Sequence, residues 1–134
     1  MLGTTFGGNP LASRIAHHVF GRLSSPEMLT QISATSSEFQ THLSKLRNSF
    51  PQLVDEVRGR GLILGVQLKG VGGKTSTEIA NLIVTKAREK GLLVITAGEG
   101  TIRLVPPLNI PQEAVSQGLE ILEEAMRDAV KAIE

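Results

Sequence analysis

Apolar residues fall into separate stretches along the chain, each with its own period. Leu11, Ala12, Ile15, Ala16, Val19, Phe20 and Leu23 recur at helical spacing, with Asn9 suited to the N-cap and Pro10 to the first helical position. Ser24-Ser25-Pro26 ends that helix and opens a second, in which Ile32, Phe39, Leu43, Leu46 and Phe50 share one stripe before Pro51. The period then changes to two. Residues 54–58 form a short predicted strand and residues 62–68 a stronger one, with Leu62, Leu64, Val66 and Leu68 on one face. Arg58-Gly59-Arg60-Gly61 between them reads as a turn or bend, and residues 69–74 as a flexible glycine-bearing loop.

Thr75 and Glu78 have capping-box spacing ahead of a helix that buries Ile79, Leu82, Ile83 and Ala87 and closes at Gly91. Residues 92–96 and 101–105 read as a hairpin around Ala97-Gly98-Glu99-Gly100, ended by Pro106-Pro107. A last helix from Pro111 presents Val115, Leu119, Leu122, Met126, Ala129 and Ile133. Gly118 lies on that stripe at a helix cost of about 1 kcal/mol against Ala, which predicts a close helix–sheet contact. The order helix, helix, strand, strand, helix, strand, strand, helix suits an α+β domain: a small, mainly antiparallel sheet with helices on one face.

Composition narrows the function. The 134 residues carry 14 Lys+Arg against 13 Asp+Glu, and only 3% are aromatic, which speaks against a nucleic-acid partner. With no cysteine there is no disulfide, thiolate–metal site or thiol nucleophile. No apolar run approaches the roughly 18 residues that span a bilayer, so no membrane partner is expected.

Most motif-like signals fail on spacing. Gly73-Lys74-Thr75 lacks the Gly that a phosphate-binding P-loop needs five residues earlier, where Leu68 stands. Gly59, Gly61 and Gly65 precede a strand rather than open a helix, unlike a dinucleotide fingerprint. His17 and His18 point about 100° apart on a helix and cannot chelate together, and Glu38 with His42 reads as a solvated helix-face pair. No metal site is expected. Two features survive. Thr4 and Thr5 place hydroxyls beside flexible backbone ahead of a helix N-terminus, either as an anion cradle or as part of an ordinary turn and N-cap. Arg103 points away from the core on its strand, either to pair a carboxylate through its planar fork or simply to face solvent.

Three ordered motifs add a resemblance that covers the whole chain. They are Gly3-Thr4-Thr5-Phe6-Gly7-Gly8-Asn9-Pro10-Leu11-Ala12, the segment Val57 to Gly65 (Val-Arg-Gly-Arg-Gly-Leu-Ile-Leu-Gly), and Ile102-Arg103-Leu104-Val105-Pro106-Pro107-Leu108. Together they resemble the C-terminal part of class III, pyridoxal-phosphate-dependent aminotransferases, closest to the acetylornithine type, with ornithine and 4-aminobutyrate types as alternatives. The resemblance implies the small C-terminal domain of a fold type I enzyme. Residues 1–10 would form a cofactor-phosphate and interface loop, 11–50 two helices, and 51–134 the sheet and remaining helices. It assigns Thr5 to the phosphate of pyridoxal phosphate across a homodimer interface, Thr4 to the substrate's surroundings and Arg103 to the substrate carboxylate. Arg58 and Arg60 are left in a structural bend. The implied partners are a large domain of the same protein, a homodimer mate, and small amino-acid and oxo-acid substrates. The implied location is the mitochondrial matrix for a eukaryotic protein and the cytoplasm otherwise.

The same resemblance implies a lysine that holds the cofactor covalently, an Asp at its pyridinium nitrogen and an aromatic cover, all in the large domain. None of Lys45, Lys69, Lys74, Lys86, Lys90 and Lys131 lies in that motif, and Leu2 stands where the family commonly has His. The expectation is therefore a piece without catalytic residues of its own and with weak or no cofactor binding. The reading from another class is a free-standing α+β ligand-binding or regulatory module.

Overall fold

A computed structural model of the chain describes residues 3–133. Its elements are α1 (Pro10–Leu23), α2 (Pro26–Ser49), β1 (Val54–Arg60), β2 (Ile63–Leu68), α3 (Ser76–Glu89), β3 (Ile95–Ala97), β4 (Thr101–Leu104) and α4 (Gln112–Ile133). Their order is the one predicted. The strands form one open sheet, β1-β2-β4-β3, in which every pairing is antiparallel. The β3–β4 hairpin returns after α3 so that β4 lies beside β2 and β3 takes the outer edge. The fold is α+β, as the pattern implied.

The core lies between the sheet and α2, α3 and α4. Leu64, Val66, Ile102 and Leu104 project into it from β2 and β4. Phe39, Leu43 and Leu46 meet them from α2, Ile79 and Ile83 from α3, and Val115, Leu122 and Met126 from α4. α1 is different: none of its residues is buried, and Leu11 and Phe20 are 70% and 71% exposed. Its helical stripe is real but uncovered.

Four local expectations need correction. The Arg58–Gly61 segment is not a bend, because β1 runs on to Arg60 and the turn falls at Gly61 and Leu62. Gly59 makes this possible. Its φ is +150°, and a Cβ there would run into the Ile63 carbonyl oxygen and stand 2.8 Å from the Leu64 Cα. The 69–74 segment is a tight turn rather than a flexible loop. Val71 and Lys74 exchange both backbone hydrogen bonds at 3.1 Å around Gly72 and Gly73, which supply the positive φ angles a two-residue hairpin turn requires. The predicted 92–96 strand is shifted and shortened to Ile95–Ala97, since the Leu92 amide is committed elsewhere. It donates to the Ala87 carbonyl at 2.9 Å while Gly91 donates to Arg88 at 3.0 Å, closing α3 in a Schellman arrangement. Gly118 approaches Leu92, not the sheet, and a Cβ there would make an ordinary 3.5 Å contact.

The α3 capping box forms as its spacing predicts. The Glu78 amide donates to Thr75 Oγ1 at 3.2 Å and the Thr75 amide to Glu78 Oε2 at 2.7 Å. The Thr75 amide and hydroxyl together hold the Glu78 carboxyl below its usual value. A carboxyl depressed by folding stabilises the protein above its unfolded pKa, about 4.3, and that stabilisation is lost as pH falls through the lower folded value. Thr75→Ala should cost about 1 kcal/mol in urea unfolding at neutral pH. Glu78→Gln should destabilise the chain at pH 7, and the gap from the unsubstituted protein should close when melting is repeated in increasingly acid buffer.

Candidate functional site

Burial of Ile102 and Leu104 under the helices sends their strand neighbours Thr101 and Arg103 to the opposite face. Among the described residues, none from a helix lines the groove that Arg103 shares with β1 and β2 on that face. Gly65 of β2 lies directly across from Arg103, and Arg58 of β1 lies across from Gly65, so the two arginines flank a glycine in one cross-strand row. Together with Gln67, Glu99 and Thr101 they line an open groove of about 490 Å³. Arg103 is exposed, and no carboxylate among the described residues pairs with it. Its planar fork is thus available to a carboxylate in a bidentate pair.

Arg58 is already engaged. Its Nη1 meets Glu56 Oε2 at 3.3 Å, and its Nη2 donates to Gln67 Oε1 at 3.2 Å and to Thr101 Oγ1 at 3.3 Å. Thr101 Oγ1 donates to Gln67 Oε1 at 2.6 Å. This network is what the bend reading of the Arg58 motif missed. The signal was present, because an inward Val57 on a continuing strand sends Arg58 to the same face as Arg103.

At the other end of the chain, residues 5–8 form a turn, with Gly8 at φ +78° and the Asn9 amide donating to the Phe6 carbonyl at 3.2 Å. Thr4 and Thr5 are exposed, and no hydrogen bond among the described residues uses their hydroxyls. The helix-end half of the anion-cradle expectation does not hold. Asn9 Oδ1 accepts from the Leu11 and Ala12 amides at 3.0 and 3.1 Å, and Pro10 has no N–H to offer. The two hydroxyls stay without partners among the described residues, and the first-turn amides are spent. Neither threonine lines the Arg103 groove, so this chain does not itself bring Thr4 or Thr5 to Arg103.

Several other polar groups have structural duties. Lys74 closes the 71–74 turn and Thr75 caps α3, which accounts for the P-loop-like tripeptide. Glu38 accepts from Gln112 Nε2 at 2.9 Å and Ser116 Oγ at 3.3 Å, tying α2 to α4 rather than pairing with His42. No cluster among the described residues suits a metal ion. None of the six lysines is buried. Lys90 is held above its usual value by hydrogen bonds to Asp128 and Glu124, whereas a lysine acting as nucleophile or base needs the opposite shift.

Comparison with known proteins places this architecture. The chain is 49% identical to the mitochondrial acetylornithine aminotransferase of Yarrowia lipolytica over 129 residues, which is 96% of this chain and 29% of that protein. It is 50% identical to the Neurospora crassa protein of the same name over 123 residues, covering 92% of this chain and 25% of that one. The solved N-acetylornithine aminotransferase of Stenotrophomonas maltophilia superposes with a TM-score of 0.80 at 36% identity, over 94% of this chain and 33% of that structure. The chain therefore spans between a quarter and a third of the length of these relatives. The family described as aminotransferase class-III matches residues 1–126, and with the fold and the relatives in agreement, the chain belongs to that family.

Proposed function

We propose that this chain is the small C-terminal domain of a pyridoxal-phosphate-dependent acetylornithine aminotransferase. The complete protein would move the amino group of N2-acetylornithine to 2-oxoglutarate, giving N-acetylglutamate semialdehyde and glutamate for arginine biosynthesis. The observation that carries this reading is an unpaired guanidinium, Arg103, on the open face of a domain about half identical to enzymes of that name. Pyridoxal phosphate, when bound, supplies the carbonyl that takes up the amino group and passes it on.

The chain's own contribution is recognition. Arg103 takes a substrate carboxylate through paired N–H donors and so fixes the orientation of the amino acid or oxo acid. Thr5 offers its hydroxyl to the cofactor phosphate of the neighbouring subunit, and Thr4 stands beside the substrate. The uncovered stripe of α1 is the surface that the large domain and the homodimer partner would cover. Location in the mitochondrial matrix is supported by the names of the Yarrowia, Neurospora and Debaryomyces relatives. The acetylornithine aminotransferase of Synechocystis, 36% identical, carries no such label.

Three outcomes test this reading. In the complete enzyme, Thr5→Ala removes a hydrogen bond to a charged phosphate, so titration of the apoenzyme should show pyridoxal phosphate affinity lower by about tenfold to a hundredfold. Arg103→Lys keeps the charge and loses the fork, so kcat/KM for both substrates should drop while cofactor absorbance stays normal. Intact kinetics would make Arg103 a surface residue. The 134-residue chain alone should transfer no amino group from N2-acetylornithine to 2-oxoglutarate and should self-associate through α1 in sedimentation. Turnover by the chain alone, or a clear preference of the complete enzyme for ornithine or 4-aminobutyrate, would replace the reading.

A further inference from the structure

Arg103 stands on a four-residue strand whose outer neighbour, β3, has only three residues. So short a hairpin gives a long side chain little support unless β4 is fastened elsewhere. The fastening lies on the open face. Gln67 of β2 donates from Nε2 to the Glu99 carbonyl at 2.9 Å and the Gly100 carbonyl at 3.4 Å, gripping the turn that delivers β4. Its Oε1 accepts from Thr101 Oγ1 and from Arg58 Nη2, and Nη2 also reaches Thr101 Oγ1. One guanidinium thus ties β1, β2 and β4 together two residues before Arg103. Thr101 is only 6% exposed and is the one buried polar residue among those described. Its hydroxyl both donates and accepts, so a buried polar group at the centre of the network is satisfied by partners on β1 and β2.

Two further details point the same way. A Cβ on Gly65 would come within 3.2 Å of Thr101 Cγ2, tighter than an ordinary contact, so the bare glycine lets Thr101 settle low. It also leaves the lane between Arg58 and Arg103 without a side chain. Arg58 donates to Gln67 Oε1 and Thr101 Oγ1 and pairs with Glu56, so these three groups are engaged on the β1 side of the lane. The Glu56 pair is exposed and contributes little stability. The clamp rests on the neutral acceptors.

We propose that Arg58 is a positioning residue for Arg103. By clamping Gln67 and Thr101 it fixes the β3–β4 turn and the strand that carries Arg103, which keeps the Arg103 guanidinium presented to a substrate carboxylate. This rests on the reading of Arg103 given above.

The test uses the complete enzyme, with glutarate as an unreactive carboxylate probe followed by calorimetry alongside steady-state kinetics. Arg58→Met should weaken glutarate and raise KM for both substrates about fivefold to thirtyfold, within the span of coupling between residues in one network. kcat should stay within about twofold by the same reasoning, and cofactor absorbance should not change. In an Arg103→Lys background the same substitution should add less than about twofold, because its effect passes through Arg103. Gln67→Leu breaks the clamp from its other end without removing a charge. It should reproduce the KM rise, and it serves if Arg58→Met does not fold. An undiminished penalty in the Arg103→Lys background, a loss confined to kcat, or no effect would overturn the proposal. If Arg103→Lys leaves glutarate affinity unchanged, the Arg103 reading fails and this one falls with it. If Arg103→Lys weakens glutarate and the clamp variants do not, only the positioning role fails.

Discussion

The register between β2 and β4 is the constraint on which the rest of the domain depends. Leu64 faces Leu104 and Val66 faces Ile102, and all four are buried beneath the helices. Because strand side chains alternate with a period of two, that inward set compels Gly65, Gln67, Thr101 and Arg103 outward as a group. A slip of one residue would bury the Arg103 guanidinium and expose Ile102. The hydrophobic cost of repacking and the desolvation cost of an unpaired charge oppose the slip together. The core therefore fixes the direction of the open-face side chains without touching them.

The elements themselves were legible because their signals are local. Caps at Asn9, Ser25 and Thr75 accept from helix-end amides as their side-chain chemistry dictates. The stripe through Phe39, Leu43 and Leu46 needs only a helical period to be read. What escaped depends on partners distant in sequence. Glycine between arginines marks turns so often that Gly59 drew the reading of a bend, yet its positive φ serves a strand pressed against Ile63 and Leu64. The Leu92 amide left its expected strand for a carbonyl five residues back, a choice made by the closure of α3 rather than by β propensity. The outward direction of Arg103 was readable from Ile102 and Leu104, but its relation to Arg58 was not. That relation requires knowing that β4 pairs with β2.

α1 shows the limit of local information from the other side. Its caps and spacing specify a helix, and a helix forms, yet none of its fourteen residues is buried. Isolated helices of this length are marginal in water, since nucleation is costly and most helical stability in proteins comes from a packed face. A stripe that includes Ile15 and Val19, with Phe20 beside it, is an apolar surface without a partner inside the described residues. The relatives extend well beyond the region matched here, so additional polypeptide is available in such proteins to cover a face of this kind.

Recognition and proton chemistry place opposite demands on basic side chains. A carboxylate-binding arginine must stay charged, which solvent exposure and a fork geometry favour. A lysine that works as nucleophile or base must spend time neutral near pH 7, which calls for burial or a neighbouring positive charge. Here Lys90 is pushed the other way by Asp128 and Glu124, Lys69 donates to the Pro51 carbonyl at 3.0 Å, and Lys86 pairs with Glu89. Lys90 thus ties the end of α3 to α4, Lys69 ties the end of β2 to the turn before β1, and Lys86 pairs within α3. The exposure and fork that suit a guanidinium to hold an anion are the reverse of what a proton-transferring amine needs, and Lys90, held above its usual value by Asp128 and Glu124, stands on the charged side of that division.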